Sequence, residues 1–156
     1  MIKRGGAGLK FDNDFFNTEV REGFEISSMM KRAWAAQMEV FQVVSDICNR
    51  NGIRYFADFG TLLGAVRHKG MIPWDDDIDI SLMRDEYNEL IRILPGELPY
   101  GFVVAGMYAD CERLQNAAFV PQLRVIADEE LWDFNDYMKY LSLIHISEPT
   151  RQAEIS

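Results

Sequence analysis

From Asp77 to Leu82 the chain reads Asp-Ile-Asp-Ile-Ser-Leu, a strict alternation that fits a strand and no helix. Such a strand turns Ile78, Ile80 and Leu82 to one face and Asp77, Asp79 and Ser81 to the other. Pro73 and Trp74 precede it, and with Asp75 and Asp76 the segment carries four aspartates within five positions. Adjacent carboxylates repel, and burying even one unpaired charge costs several kcal/mol or shifts its pKa until it neutralises. A strand that must enter a core beside this cluster therefore calls for a positive partner.

The rest of the chain supplies elements to pack against that strand. Residues 1 to 26 show no clear period and are expected to form an arm without a motif. From Ser28 to Asn51, Met30, Trp34, Met38, Phe41, Val44 and Cys48 recur at three and four, the spacing of one helix face. Ser27 or Ser28 can cap that helix and Gly52 follows its end. Ile53 to Phe59 reads as a strand broken by Gly60, with a short helix from Thr61 to Val66 and a loop closed by Pro73. A helix is expected from Asp85 to Leu94, ended by Pro95-Gly96. Further strands are expected over Tyr100–Met107 and Phe119–Ile126, the second interrupted by Pro121, and a helix over Glu129–Tyr140. These alternating elements make one α+β unit, and no internal repeat is present.

The last sixteen residues, LSLIHISEPTRQAEIS, share nothing with what precedes them. Leu141 to Arg151 resembles a one-frame translation of a transposase-type sequencing adapter, and such a scar is left out of fold reasoning. The organisation expected is thus an arm (1–26), the N-terminal part of one domain (27–140) and a non-native tail (141–156). Removing the tail's one Arg and two Glu from the 16 basic and 25 acidic residues leaves 15 against 23, a net charge of −8. That balance argues against general nucleic-acid affinity. At 48% hydrophobic and 26% charged the chain is an ordinary globular one. It lacks both an apolar run long enough for a membrane span and the apolar core of a secretory signal, which points to the cytoplasm. Two cysteines, Cys48 and Cys111, make no disulfide framework, and two histidines make no zinc set.

Three uses of the aspartates can be weighed. On an extended strand Asp77 and Asp79 leave the same face about 6.5 to 7 Å apart, close enough to converge on one hard cation such as Mg²⁺ or Mn²⁺, with Asp75 as an additional ligand and Asp76 pointing away. A calcium loop would place Asp75, Asp77 and Asp79 at positions 1, 3 and 5 and Glu86 at 12, but position 6 is Ile80 where glycine is needed. The third use is a solvated acidic turn. Upstream, Gly60-Thr61 stands where a strand enters a helix and can offer N–H groups and a hydroxyl to a phosphate. Arg67 and Lys69 can grip an anionic substrate, and Trp74 can stack on a base or line an acceptor site.

Gly60-Thr61, the basic loop and IPWDDDIDI together resemble the LicD family, which includes the fukutin-like transferases of the nucleotidyltransferase fold; the match runs from about Tyr55 to Leu94. The resemblance implies a mixed sheet flanked by helices, incomplete at the C-terminus. It places Asp77 and Asp79 at the family's metal pair, Gly60 and Thr61 at its phosphate turn, and Arg67 and Lys69 in its basic loop. The implied reaction moves a phosphorylated alcohol, phosphocholine foremost, from a CDP-activated donor such as CDP-choline to a hydroxyl of a glycan or lipid-linked sugar, with the protein meeting the inner membrane face only through that acceptor. An alternative within the fold leaves NMP on its acceptor, and one outside it is a calcium-binding or structural module. The third carboxylate expected of such sites has no matching segment before Tyr140; Asp128 and Asp133 stand in a poorly matching context. If the tail is an adapter, sequencing the gene from its native source across the codon for Tyr140 will read on into different sequence. A native gene that encodes LSLIHISEPTRQAEIS would overturn that reading.

Overall fold

Helix α1 (Ser28–Arg50) begins where extended Ser27 offers its Oγ to the N–H of Met30 at 3.2 Å, and ends before Gly52, which takes a φ of +66°. In the computed structural model, which describes residues 9–100, 102–105, 123–127 and 144–147, this helix is the main support of the sheet. Trp34, Val44 and Cys48 of the expected stripe are buried, but so are Ala33, Ala35, Ala36 and Gln37. The middle of α1 is therefore enclosed on more than one face, which its small alanines permit.

Ahead of α1 the arm is more ordered than its sequence suggests. A short 3₁₀ turn (Asn13–Phe16) leads into an antiparallel hairpin of β1 (Glu19–Arg21) and β2 (Phe24–Ile26). Its turn residues Glu22 and Gly23 have φ of +53° and +78°, the paired left-handed geometry that matches the twist of two flanking strands.

The main sheet contains β3 (Phe56–Ala57), β4 (Ile78–Ser81), β5 (Phe102–Ala105), β6 (Leu123–Ala127) and β7 (Ile144–Ser147), in the order β3-β4-β7-β6-β5. Only β4 and β7 run parallel; the other neighbours are antiparallel. Between β3 and β4 lies α2 (Phe59–Arg67), and α3 (Arg84–Glu97) follows β4. The result is the expected mixed, open α+β sheet flanked by helices. The stretch set aside as adapter-like supplies β7, which lies between β4 and β6 with Ile146 wholly buried.

Several boundaries differ from the sequence reading for identifiable reasons. The strand expected over Ile53–Phe59 shrinks to two residues because Asp58 becomes the cap of α2. The alternating strand begins at Ile78, so Asp77 stands in the turn before it. Helix α3 passes through Pro95: the missing N–H falls in the last turn, and the N–H of Leu98 closes onto Leu94 O at 3.0 Å. Pro121, Cys111, Asp128, Asp133 and the helix expected over Glu129–Tyr140 lie outside the described residues. Cys48 is buried, and loss of hydration pushes its thiol up to about 11. No helix among the described residues is long and apolar enough to cross a membrane.

The core joins Val40, Val44, Ile47 and Cys48 of α1, Ile78 and Ile80 of β4, Leu82 just after that strand, Tyr87, Leu90 and Leu94 of α3, and Val104 and Ile146 of the sheet. Burial of Ile78, Ile80 and Leu82 follows the alternation read from the sequence. Leu90 is fully buried among these residues, so Leu90→Ala is expected to lower the unfolding free energy by about 2–5 kcal/mol in urea titration. A loss under about 1 kcal/mol would show that this part of the core is loosely packed.

Candidate functional site

The aspartate segment is fixed from both sides. Helix α2 starts at Asp58, whose Oδ1 accepts from the N–H of Phe59 at 2.9 Å and whose Oδ2 accepts from Ser81 Oγ on β4. The N–H of Asp58 donates to Asp79 O at 3.2 Å, and the N–H of Asp79 donates to Thr61 Oγ1 at 2.8 Å. The first turn of α2 is thus tied to the strand at Asp79. Phe59 takes a φ of +43°, a left-handed conformation costly for a large side chain, and is held there by these ties.

From the other side, two α1 residues reach the turn. Trp34 Nε1 donates to Asp75 O at 2.8 Å, and Gln37 Nε2 donates to Asp76 O. The N–H of Asp75 in turn donates to Ile72 O at 3.0 Å. Gln37 was invisible to a reading that sought apolar helix positions; its signal was a polar residue three positions after Trp34 on the buried face. Asp58 was likewise missed, although an Asp immediately before the Phe-Gly-Thr start of a helix is a cap signal.

Within this frame one oxygen each from Asp75, Asp76 and Asp77 lie within 4.8 Å of one another. Asp76, expected to point away, joins the cluster because the turn, and not a continuous strand, carries these three residues. Asp79 sits in β4 behind them, and its charge reaches Asp75. The Asp75 carboxyl is pushed above the usual carboxylate range, first by loss of hydration and then by Asp79 and Asp76, with the Asp76 N–H and Asp77 acting the other way. Its carboxylate lies against Gly60: a Cβ there would collide with Oδ2 and stand 3.2 Å from Cγ. Gly60 therefore admits a carboxylate to the first turn of α2, where the helix end favours negative charge.

The remaining expected residues are placed differently. Arg67 ends α2, roughly 10 Å of helix from Gly60. Its Nε donates to His68 Nε2 at 2.7 Å, and Lys69, at φ +59°, donates from Nζ to Val66 O at 3.1 Å. His68 is enclosed, with Nδ1 3.0 Å from Glu22 Oε1 of the hairpin turn. Trp74 is 51% exposed and stands edge-on to Phe24 and His68.

The donor set suits a hard divalent cation. All three groups offer carboxylate oxygen and are close enough to share an ion.

An open α+β sheet with a carboxylate cluster in the segment leading into β4 is consistent with the class of nucleotidyltransferase-type domains. The chain belongs to one family of that class: residues 52–141 match LicD/FKTN/FKRP, nucleotidyltransferase domain. It is similar to an uncharacterised protein of Rickettsia prowazekii, 41% identical over 71 residues that cover 44% of this chain and 27% of that protein. It is 53% identical over 47 residues to the lipopolysaccharide cholinephosphotransferase LicD of Haemophilus influenzae, covering 30% of this chain and 18% of the relative. The ribitol 5-phosphate transferase FKRP of Homo sapiens is 37% identical over 51 residues, 33% of this chain and 10% of that protein. The chain thus spans at most 27% of the length of these relatives. No solved structure matches it.

Because folding raises the Asp75 pKa, the folded chain holds that proton more tightly than the unfolded chain does. The penalty is absent below the unfolded value, where both states are protonated, and grows as pH rises through the folded value. In chelator, Asp75→Asn is therefore expected to raise Tm at neutral pH, with the gain fading as pH falls below the ordinary carboxylate range. A Tm gain independent of pH, or a loss at neutral pH, would contradict this account.

Proposed function

We propose that this domain serves a metal-dependent transferase that moves a phospho-alcohol, phosphocholine foremost, from a CDP-activated donor to a hydroxyl of a glycan or lipid-linked sugar at the cytoplasmic face of the membrane. The observation that carries this reading is the gathering of Asp75, Asp76 and Asp77 beside the first turn of α2 in a chain of the LicD family. Similarity to a lipopolysaccharide cholinephosphotransferase favours phosphocholine, and similarity to a ribitol 5-phosphate transferase supports the wider class of phospho-alcohols.

Asp75, Asp76 and Asp77 would hold Mg²⁺ or Mn²⁺, with Asp79 in the adjoining strand completing the Asp77–Asp79 pair that the family resemblance implies. When bound, the ion supplies positive charge to offset that of the donor phosphates and of the leaving oxygen. Gly60 and Thr61, in the first turn of α2, would help to hold a donor phosphate, with the cation offsetting the Asp75 carboxylate that packs on Gly60. Arg67 and Lys69, at the other end of α2, are suited to a more distant anionic part of donor or acceptor. The exposed Trp74 offers a ring face for a base or sugar. In the step itself the acceptor oxygen forms a bond to the phosphorus carrying the alcohol, the phosphoanhydride bond breaks, CMP leaves with the electron pair, and the hydroxyl proton passes to a nearby base.

The test is an assay with CDP-choline and a glycan acceptor, scored for CMP. Asp77→Asn is expected to lower transfer by more than about a hundredfold, the upper end of what loss of an outer partner costs at metal sites. Wild-type rate in that variant would sink the assignment, and release of pyrophosphate from a nucleoside triphosphate would favour a nucleotidyltransferase instead.

A further inference from the structure

We infer that Trp34 and Gln37 of α1 are positioning residues that set the geometry of the aspartate turn for a divalent cation. The inference rests on the metal-binding reading given above. Trp34 and Gln37 stand one helical turn apart on α1, are 3% and 0% exposed, and donate to consecutive carbonyls, those of Asp75 and Asp76. An amide with no exposed surface is costly in a core unless its hydrogen bonds are made, and a bond from Gln37 to the turn gives that residue type a reason to be there.

The two bonds do more than satisfy donors. Three carboxylates with oxygens within 4.8 Å of one another push apart, and a flexible turn would relieve that repulsion by swinging them into water. Here the main chain is restrained at successive points: Asp75 N–H on Ile72 O, Asp75 O on Trp34, Asp76 O on Gln37, and Asp79 N–H on Thr61. The carbonyls of Asp75 and Asp76 are turned to α1 as acceptors, which leaves the carboxylates as the turn's ligand oxygens. Helix α1 is itself long, capped and enclosed, so it is a rigid platform for this purpose. Outer partners that orient the ligands of a metal in this way typically account for 10–100-fold in affinity.

The experiment titrates Mn²⁺ into the chain, alone and with CDP, following free Mn²⁺ by electron paramagnetic resonance, and measures urea midpoints on the same samples. Trp34→Phe and Gln37→Met each remove a donor while keeping an apolar group of similar reach. Val40→Ala on the same helix opens a cavity in the core without removing a hydrogen bond to the turn. Trp34→Phe and Gln37→Met are expected to raise the Mn²⁺ Kd at least about tenfold, whereas Val40→Ala lowers the urea midpoint and leaves Kd within about twofold. Folded variants with the wild-type Kd would overturn the inference while leaving the metal reading intact. So would a Val40→Ala chain that loses as much affinity, since the effect would then follow stability. Unfolding of both variants under conditions where Val40→Ala stays folded assigns the bonds to the fold and also overturns it. A wild-type chain that takes no Mn²⁺, alone or with CDP, removes the metal reading and the inference together.

Discussion

The close approach of the Asp75, Asp76 and Asp77 carboxylates is the constraint around which this part of the molecule is arranged. The chain could relax it by letting the turn open, yet its main chain is held by hydrogen bonds from α1 and by the tie between α2 and β4. The Asp75 carboxyl is raised first by loss of hydration, and the charges of Asp79 and Asp76 add to that. A carboxylate cluster whose main chain is already fixed needs no reorganisation of that main chain to take a cation.

That arrangement also explains the division of labour among the helices. Helices α1 and α3 bury apolar faces against the sheet and supply the core, so their stability comes from burial. Helix α2 is different. It buries only Gly64, while Phe59, Leu62, Leu63 and Val66 are exposed. Nine residues with so little burial would not hold a helix in water, so α2 depends on polar ties at its start and on close contact at Gly64, where a Cβ would come within 2.5 Å of Gly70 O. The ties that hold the helix are those that hold Asp79, so the Gly60-Thr61 turn and the aspartate strand stand or fall together.

Features set by local chemistry were legible in the sequence: the long helix with its Ser27 cap, the alternation that buries Ile78, Ile80 and Leu82, and a strand-to-helix junction, which falls at Asp58-Phe59, just before the expected Gly60-Thr61. What depended on tertiary context was not. A serine on the polar side of an alternating strand gives no hint that Ser81 will be buried against Asp58. Nor does a glutamine in an amphipathic helix announce a carbonyl waiting on a distant turn. Pro95 was read as a stop by a rule that holds for helix interiors, but near the end only one bond is lost. The aspartates are legible as a group; that exposed Asp76 shares the cluster with Asp75 and Asp77 follows from β4 beginning only at Ile78, which alternation from Asp77 onward does not specify.

The place of β7 follows from the same logic of pattern. The slot between β4 and β6 needs a short segment that can pair parallel to one neighbour and antiparallel to the other, with apolar residues at every second position on the buried face. Ile144–Ser147 pairs in that way with both neighbours, and Ile146 is buried there without exposure. A period of two is a weak specification, satisfied by many sequences whatever their origin, whereas the aspartate turn requires particular donors, a glycine at one position and carboxylates at three. Occupancy of a strand slot therefore says little about function, and the site's identity rests on the segment from Asp58 to Ser81 and on the two α1 side chains that hold it.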